Sequence, residues 1–98
     1  MAKYYLTNKA VQDLSNIWNY TFDEWSEHQA DKYYRLLINN CKEISINPKV
    51  GKSYIGIADC LFGYKAGRHI IFYRIIEEEI EITRILHEKM DLKKRIAE

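Results

Sequence analysis

Two kinds of hydrophobic spacing divide this chain. From Ala10 to Trp25 the apolar residues fall at three- and four-residue steps: Ala10, Val11, Leu14, Ile17, Trp18, with Thr21, Phe22 and Trp25 continuing the stripe. That period is helical. Lys9, Gln12, Asp13, Asn16 and Asn19 fall on the opposite side, which predicts a solvated face. Thr7 or Asn8 supplies a cap, and Tyr4 to Thr7 predicts a short first strand. Ser26 followed by Gln29 has capping-box spacing and opens a second helix. Ala30, Tyr33, Tyr34, Leu37, Ile38, Cys41, Ile44 and Ser45 form its buried stripe. Asp31, Lys32, Arg35, Lys42 and Glu43 form its wet one. Asn47-Pro48 ends the helix, because a residue before proline leaves the helical region. With no linker between them, the two helices must form a hairpin.

After a long loop over 49–60, the pattern changes to short apolar runs. Leu61–Ala66, Arg68–Ile76 and Ile80–His87 predict three strands. The middle run is apolar on both faces, as a central strand covered on both sides would be. The connections at Gly67 and Glu77-Glu78-Glu79 are short and imply antiparallel hairpins. Residues 88–98 predict a short charged helix or tail, with Met90, Leu92 and Ile96 as its apolar anchors. The expected fold is α+β: a short N-terminal strand, then a two-helix hairpin packed on an antiparallel sheet. A C-terminal three-stranded meander and a short helix or tail complete it.

Composition bounds this picture. Ninety-eight residues allow one modest core, so residues 1–98 are expected to be a single domain. Nearly half the residues are hydrophobic (47%) and 30% are charged, which excludes a disordered chain. The formal net charge is +1, so no bulk field marks a nucleic-acid binder. The basic residues nevertheless gather late, at Arg68, Arg74, Arg84, Lys93, Lys94 and Arg95. Cys41 and Cys60 have no metal-ligand spacing and read as reduced thiols of a cytosolic protein. No signal-peptide core opens the chain, and no apolar run reaches membrane-spanning length, so no membrane partner is expected.

Familiar enzyme motifs are missing. There is no phosphate-binding glycine loop, no GxSxG elbow and no HExxH pair. His28, His69 and His87 are dispersed, so neither a metal site nor a cofactor is expected.

The order of short motifs is specific. Leu6-Thr7, Ala10, Leu14, Ile17-Trp18 and Tyr20 resemble the opening of ParE-type toxins. Gln29-Ala30 with Tyr33-Tyr34, and Asn47-Pro48 with Gly51, resemble the second helix of that group and its end. Gly67-Arg68-His69-Ile70-Ile71-Phe72-Tyr73-Arg74 and Ile82-Thr83-Arg84-Ile85-Leu86-His87 resemble its late strands. Met90-Asp91 follows where the group places a small residue or methionine before aspartate. Over nearly its whole length the chain resembles the RelE/ParE superfamily, the toxin halves of type II toxin–antitoxin pairs.

The resemblance implies one of two activities. ParE-like members poison DNA gyrase and block replication; RelE-like members are ribosome-dependent ribonucleases that cut mRNA. RelE-like enzymes commonly add lysines before the central strand or a late tyrosine. Here Lys65 is the only lysine close before that strand, and no tyrosine follows Tyr73. Ribosome binders also tend to be strongly basic, and this chain is not. The expectation is therefore a non-catalytic gyrase poison acting through the A subunit. Its target contacts are expected at Arg68, Arg84, His87, Lys93 and Arg95. The alternative is an endoribonuclease using Arg68, Arg84 and His87; a third reading is an inactive relative that only binds its antitoxin. The resemblance also implies a ParD-like antitoxin forming a hetero-oligomer with the toxin, with Trp18, Trp25, Tyr33 and Tyr34 as expected contacts. Arg84 is flanked by Ile82 and Leu86 at the same strand parity, so it needs a carboxylate from this chain or from a partner.

Overall fold

A computed structural model describes residues 3–97. The chain opens with strand β1 (Lys3–Leu6), one residue earlier than expected, because Thr7 is diverted to cap the first helix. Helix α1 (Asn8–Glu24) starts where the Thr7 hydroxyl accepts the Ala10 N–H at 3.1 Å. Helix α2 (Glu27–Ile46) is capped in the same way by Ser26, whose hydroxyl accepts the Gln29 N–H at 3.1 Å. Its last N–H bond runs from Asn47 to the Glu43 carbonyl, just before Pro48. The two helices form the expected hairpin.

The helical stripe of α1 is narrower than its spacing predicts. Ala10, Leu14 and Ile17 face the core. Val11, Phe22 and Trp25 do not: Val11 and Phe22 are about half exposed, and Trp25 is 75% exposed. Trp25 also lies past the last turn, as the C-cap. A second correction follows from the same rotation. Asp13 belongs to the inward row 10, 13, 14, 17 rather than to the solvated face, and its side chain is only 11% exposed.

Four further strands follow: β2 (Lys52–Ser53), β3 (Phe62–Ala66), β4 (His69–Ile76) and β5 (Glu79–His87). β2 is a two-residue strand inside the stretch expected to be loop, and it pairs with β3. The sheet order is β1-β5-β4-β3-β2. The meander β3–β5 is antiparallel as expected, but β1 runs parallel to β5, so the sheet is mixed. No hairpin joins these two strands in sequence, so nothing forces β1 to run antiparallel. Arg68 does not begin a strand. It sits with Gly67 in the two-residue turn between the paired residues Ala66 and His69. Gly67 adopts a positive φ of 61°, and any side chain there would press on the Tyr33 ring.

The sheet has a core on each side. Ile71, Tyr73, Ile80, Ile82 and Ile85 meet Leu14, Leu37, Cys41 and Ile44 from the helices. Burial raises the Cys41 thiol to about 12, so it packs as a small hydrophobe. The opposite face gathers Leu61, Ile70, Phe72 and Leu86 under Tyr54, Ile57 and the short helix α3 (Leu92–Ala97). Leu92 and Ile96 are therefore docked anchors. The central strand is covered on both sides over its first half, as its composition requires, while Ile75 and Ile76 emerge at its far end.

Tyr73 also organises the loop after α2. Its buried hydroxyl donates to the Pro48 carbonyl at 2.6 Å and accepts the Gly51 N–H at 3.0 Å. Tyr73→Phe removes both bonds and keeps the ring, so it should lower unfolding free energy by about 1–3 kcal/mol. Urea denaturation measures this; a loss below about 0.5 kcal/mol would mean that the hydroxyl does not hold the loop.

Candidate functional site

The site is built around an irregularity in β5. Ile80 and Ile82 point to the helices, and so does Ile85, three residues on rather than two. The extra residue is Thr83: Tyr73 pairs with Ile82, Phe72 pairs with Arg84, and Thr83 has no opposite number. This β-bulge reverses the parity of the strand. In a regular strand Ile82, Arg84 and Leu86 would share one face. Here Ile82 joins the helix-side core and Leu86 the opposite one, which corrects the simple alternation read from the sequence.

α1 is fastened to this bulge at two points. Thr7 donates its N–H to the Ile82 carbonyl at 3.0 Å and its hydroxyl to the Thr83 carbonyl at 2.8 Å. Further along, the Asp13 carboxylate receives the Ile85 N–H at 3.0 Å. The same carboxylate takes a two-pronged contact from Arg84, with Nε at 2.8 Å and Nη2 at 3.0 Å. Both side chains are 11% exposed. The carboxylate that Arg84 needs is thus supplied from within the chain. Nη1 of the same guanidinium donates to the Arg95 carbonyl at 2.9 Å, linking α3 to the pair.

A groove of about 650 Å³ lies between α1 and the end of β5. Ile17, Tyr20, Ile85, Leu86 and Met90 provide its apolar walls. Asp13, Arg84, His69, His87, Lys9 and Arg95 provide its charged and ring-nitrogen groups. His69 and His87 are direct cross-strand partners, their rings edge-on with centroids 5.3 Å apart.

Both rings are oriented through Nδ1. His87 Nδ1 accepts the Lys89 N–H at 3.1 Å, which leaves the proton of the neutral ring on Nε2. His69 Nδ1 lies 2.6 Å from the Tyr33 hydroxyl, which itself accepts the Arg68 N–H at 3.0 Å. The hydroxyl also donates to the Ala66 carbonyl at 3.4 Å, and the His69 tautomer sets which group donates in the short Tyr33–His69 contact. Burial, reinforced by the charge His87 can carry, lowers the His69 pKa from 6.5 to about 4. Burial also raises the Tyr33 hydroxyl above its ordinary value and keeps it a donor.

Of the five residues expected to touch a target, the groove unites Arg84, His87 and Arg95. Arg68 is exposed in the β3–β4 turn, and Lys93 is exposed on α3; neither lines the groove. Residues 77–79 lie at the other end of β4 from Arg68, and Glu88 pairs with Lys65 at 3.5 Å. The four aromatic residues expected at an antitoxin surface also divide. Tyr34 and Trp18 line a shallow hollow on the hairpin, and Trp18 stacks on Phe22 with centroids 5.3 Å apart. The Trp18 indole donates to Asp31 at 3.0 Å, which draws Asp31 off the wet face. Tyr33 points to the sheet, and Trp25 stands exposed at the helix end. Asp13 and His69 line the groove without having been singled out from the sequence. For Asp13 the available signal was its place in the row 10, 13, 14, 17.

Among the described residues no cluster of metal ligands occurs, and no helix is long and apolar enough to cross a membrane. The architecture is that of a small α+β protein: a helical hairpin on a mixed sheet, with a groove of apolar walls and a few charged groups where helix and last strand meet. Over residues 4–92 the sequence matches the profile of the ParE toxins of parDE type II toxin–antitoxin systems. It is 32% identical over 96 residues to toxin ParE1 of Mycobacterium tuberculosis, spanning 97% of this chain and 98% of that one. It is 30% identical over 97 residues to toxin ParE1 of Caulobacter vibrioides, spanning 99% and 100%. A solved structure described as the chromosomal ParDE system from P. aeruginosa superposes with a TM-score of 0.77 at 21% identity, over 89% of this chain and 96% of that one. The chain belongs to the ParE toxin family of type II toxin–antitoxin systems.

Two outcomes test this geometry. Asp13→Ala strands a buried guanidinium and should cost about 3–5 kcal/mol in urea unfolding, whereas Asp13→Leu combined with Arg84→Met should recover much of that loss. A single-variant cost below about 1 kcal/mol would remove the pair as an anchor. The second concerns acid. His69 binds its proton less readily when folded (about 4) than when unfolded (6.5), so the unfolded chain gains protons first as pH falls. The stability it contributes is complete above 6.5 and is lost as pH drops towards 4. Denaturant midpoints across that interval should fall less steeply for His69→Gln than for the parent; equal slopes would place the acid sensitivity elsewhere.

Proposed function

We propose that this toxin arrests growth by poisoning DNA gyrase, without catalytic turnover of its own, and that a ParD-like antitoxin neutralises it in the cytoplasm. The observation that carries the non-catalytic part is the Arg84–Asp13 pair. A ribonuclease would need the Arg84 guanidinium to face a phosphate in the transition state. Here three of its N–H groups point at Asp13 and the Arg95 carbonyl. The second arginine of that reading, Arg68, lies outside the groove. Of the residues of the ribonuclease alternative, Arg84 and His87 share the groove while Arg68 stays outside it, and the relatives described by name are ParE toxins.

The groove, with His87 and Arg95, is the proposed target surface, and Arg68 and Lys93 flank it on the β3–β4 turn and α3. The antitoxin surface is proposed on the other side of the hairpin. Val11, Trp18, Phe22, Trp25 and Tyr34 leave an apolar patch there that a folding-on-binding segment can cover. Tyr33, held against His69, is not part of that surface.

Purified toxin should inhibit gyrase supercoiling and accumulate the cleaved gyrase–DNA complex. Trp25→Ala should keep that activity and weaken rescue by the antitoxin. Gyrase unaffected by saturating toxin, together with discrete cuts in translated messages, would reverse the assignment.

A further inference from the structure

At the far end of the β4–β5 hairpin, charges of both signs stand without partners. Ile70 and Phe72 face the α3 side of the sheet and Tyr73 faces the helices, so alternation puts Arg74 and Ile76 on the α3 side. Ile80 and Ile82 face the helices, which puts Glu79 and Glu81 on that same side, with Lys3 and Tyr5 of β1 next to them. α3 and the segment around Tyr54 and Ile57 cover only the other half of this face, and Tyr5 and Ile76 are each 41% exposed. Arg74 is partly buried here. Its Nε is the one shielded side-chain polar atom among the described residues that lacks a hydrogen-bond partner. Glu81 is its register neighbour but does not pair with it. One Glu81 oxygen accepts the Tyr5 hydroxyl at 3.2 Å and the other accepts the Thr83 hydroxyl at 3.3 Å. A shielded guanidinium N–H with no acceptor is costly, and such a group calls for an explanation.

The adjoining turn carries the opposite charge. Glu77 and Glu78 join Ile76 to Glu79 in a two-residue connection, where glycine or asparagine is the usual choice, and Glu77 takes a φ of 58°. Both glutamates are exposed, and neither forms an ion pair with a described residue. Glu79, by contrast, has Lys3 opposite it in β1. A surface with an unmet cation and unmet anions a few residues apart becomes complementary to itself when a two-fold axis passes between them.

We infer that two copies of this chain associate through this face, the Arg74 guanidinium of each meeting the Glu77–Glu78 turn of the other, with Ile76 and Tyr5 packed near the axis. The two-fold duplicates every contact, so one patch yields two sets of ion pairs. The face lies at the opposite end of β4 and β5 from His69 and His87, so both grooves stay open in the pair. Its apolar content is small, so the association should be weak and should loosen as salt screens the charges. This pairing does not depend on the target being gyrase.

Sedimentation equilibrium of the purified toxin, from micromolar to millimolar concentration, tests the pairing. The parent should pass from monomer to dimer and no further, since an isologous contact closes on itself. Arg74→Glu and the double variant Glu77→Lys/Glu78→Lys should each weaken self-association by about ten-fold or more, because like charges then face each other twice. Mixed in equal amounts, these two variants should associate with each other about as well as the parent does with itself, because each supplies the charge the other has reversed. Amide NMR spectra establish beforehand that both variants are folded. A parent that stays monomeric at millimolar concentration overturns the pairing. So do variants that dimerise as the parent does, or a mixture of folded variants that stays monomeric. If Arg74→Glu lowers affinity for the antitoxin in a toxin that never dimerises, the face belongs to the antitoxin and the second copy is ruled out.

Discussion

The Thr83 bulge and the Asp13–Arg84 pair beneath it form one constraint, and the rest of the structure is arranged around it. A bulge frees backbone groups that a regular ladder would pair, and a buried guanidinium demands a carboxylate. α1 answers both demands. Thr7 covers the Ile82 and Thr83 carbonyls, and Asp13 covers the Ile85 N–H together with Arg84. These polar contacts fix the helix along the strand at two points six residues apart. Apolar packing alone would permit sliding, because hydrophobic contact is non-directional. Arg84 then extends the same connection to α3 through the Arg95 carbonyl.

That arrangement explains why some of the molecule was legible in its residues. Ser26, Pro48 and the stripe Ala30, Leu37, Cys41, Ile44 act locally, so α2 could be read almost to its ends. The apolar run of β4 needed a cover on each side, and the cover is present over its buried half. β2 and the parallel direction of β1 were not legible. Both arise from tertiary pairing between segments far apart in sequence, and neither leaves a periodic trace. The hairpin aromatics are a different case. Val11, Phe22 and Trp25 are spaced like core, yet they stand exposed on the hairpin. Helical spacing registers an apolar face whether this chain or a partner buries it.

The candidate site was legible in part for the same reason. Arg84 among isoleucines signalled an unmet need for a carboxylate, but the bulge that redirects it depends on a register no alternation pattern contains. Asp13 looked solvated because its neighbours Gln12 and Asn16 are. Only the depth of its row beside Ala10 and Leu14 distinguishes it. His69 and His87 are 18 positions apart in sequence and opposite one another in space, a consequence of the β4–β5 hairpin register. His69 is further defined by Tyr33 from α2, a contact that spans both layers of the fold.

The division of polar work within the groove follows from this placement. Arg84 carries a permanent charge that Asp13 holds and offsets, so it serves the architecture. The histidines carry no such charge when neutral; their Nδ1 atoms are engaged by the scaffold and their Nε2 edges are not needed for it. A residue whose removal would unfold the site is a poor choice for contacting a variable partner, because every adjustment to the partner would be felt in stability. Within the final hairpin, Arg84 holds the groove together while His69 and His87 line it with their Nδ1 atoms engaged by the scaffold.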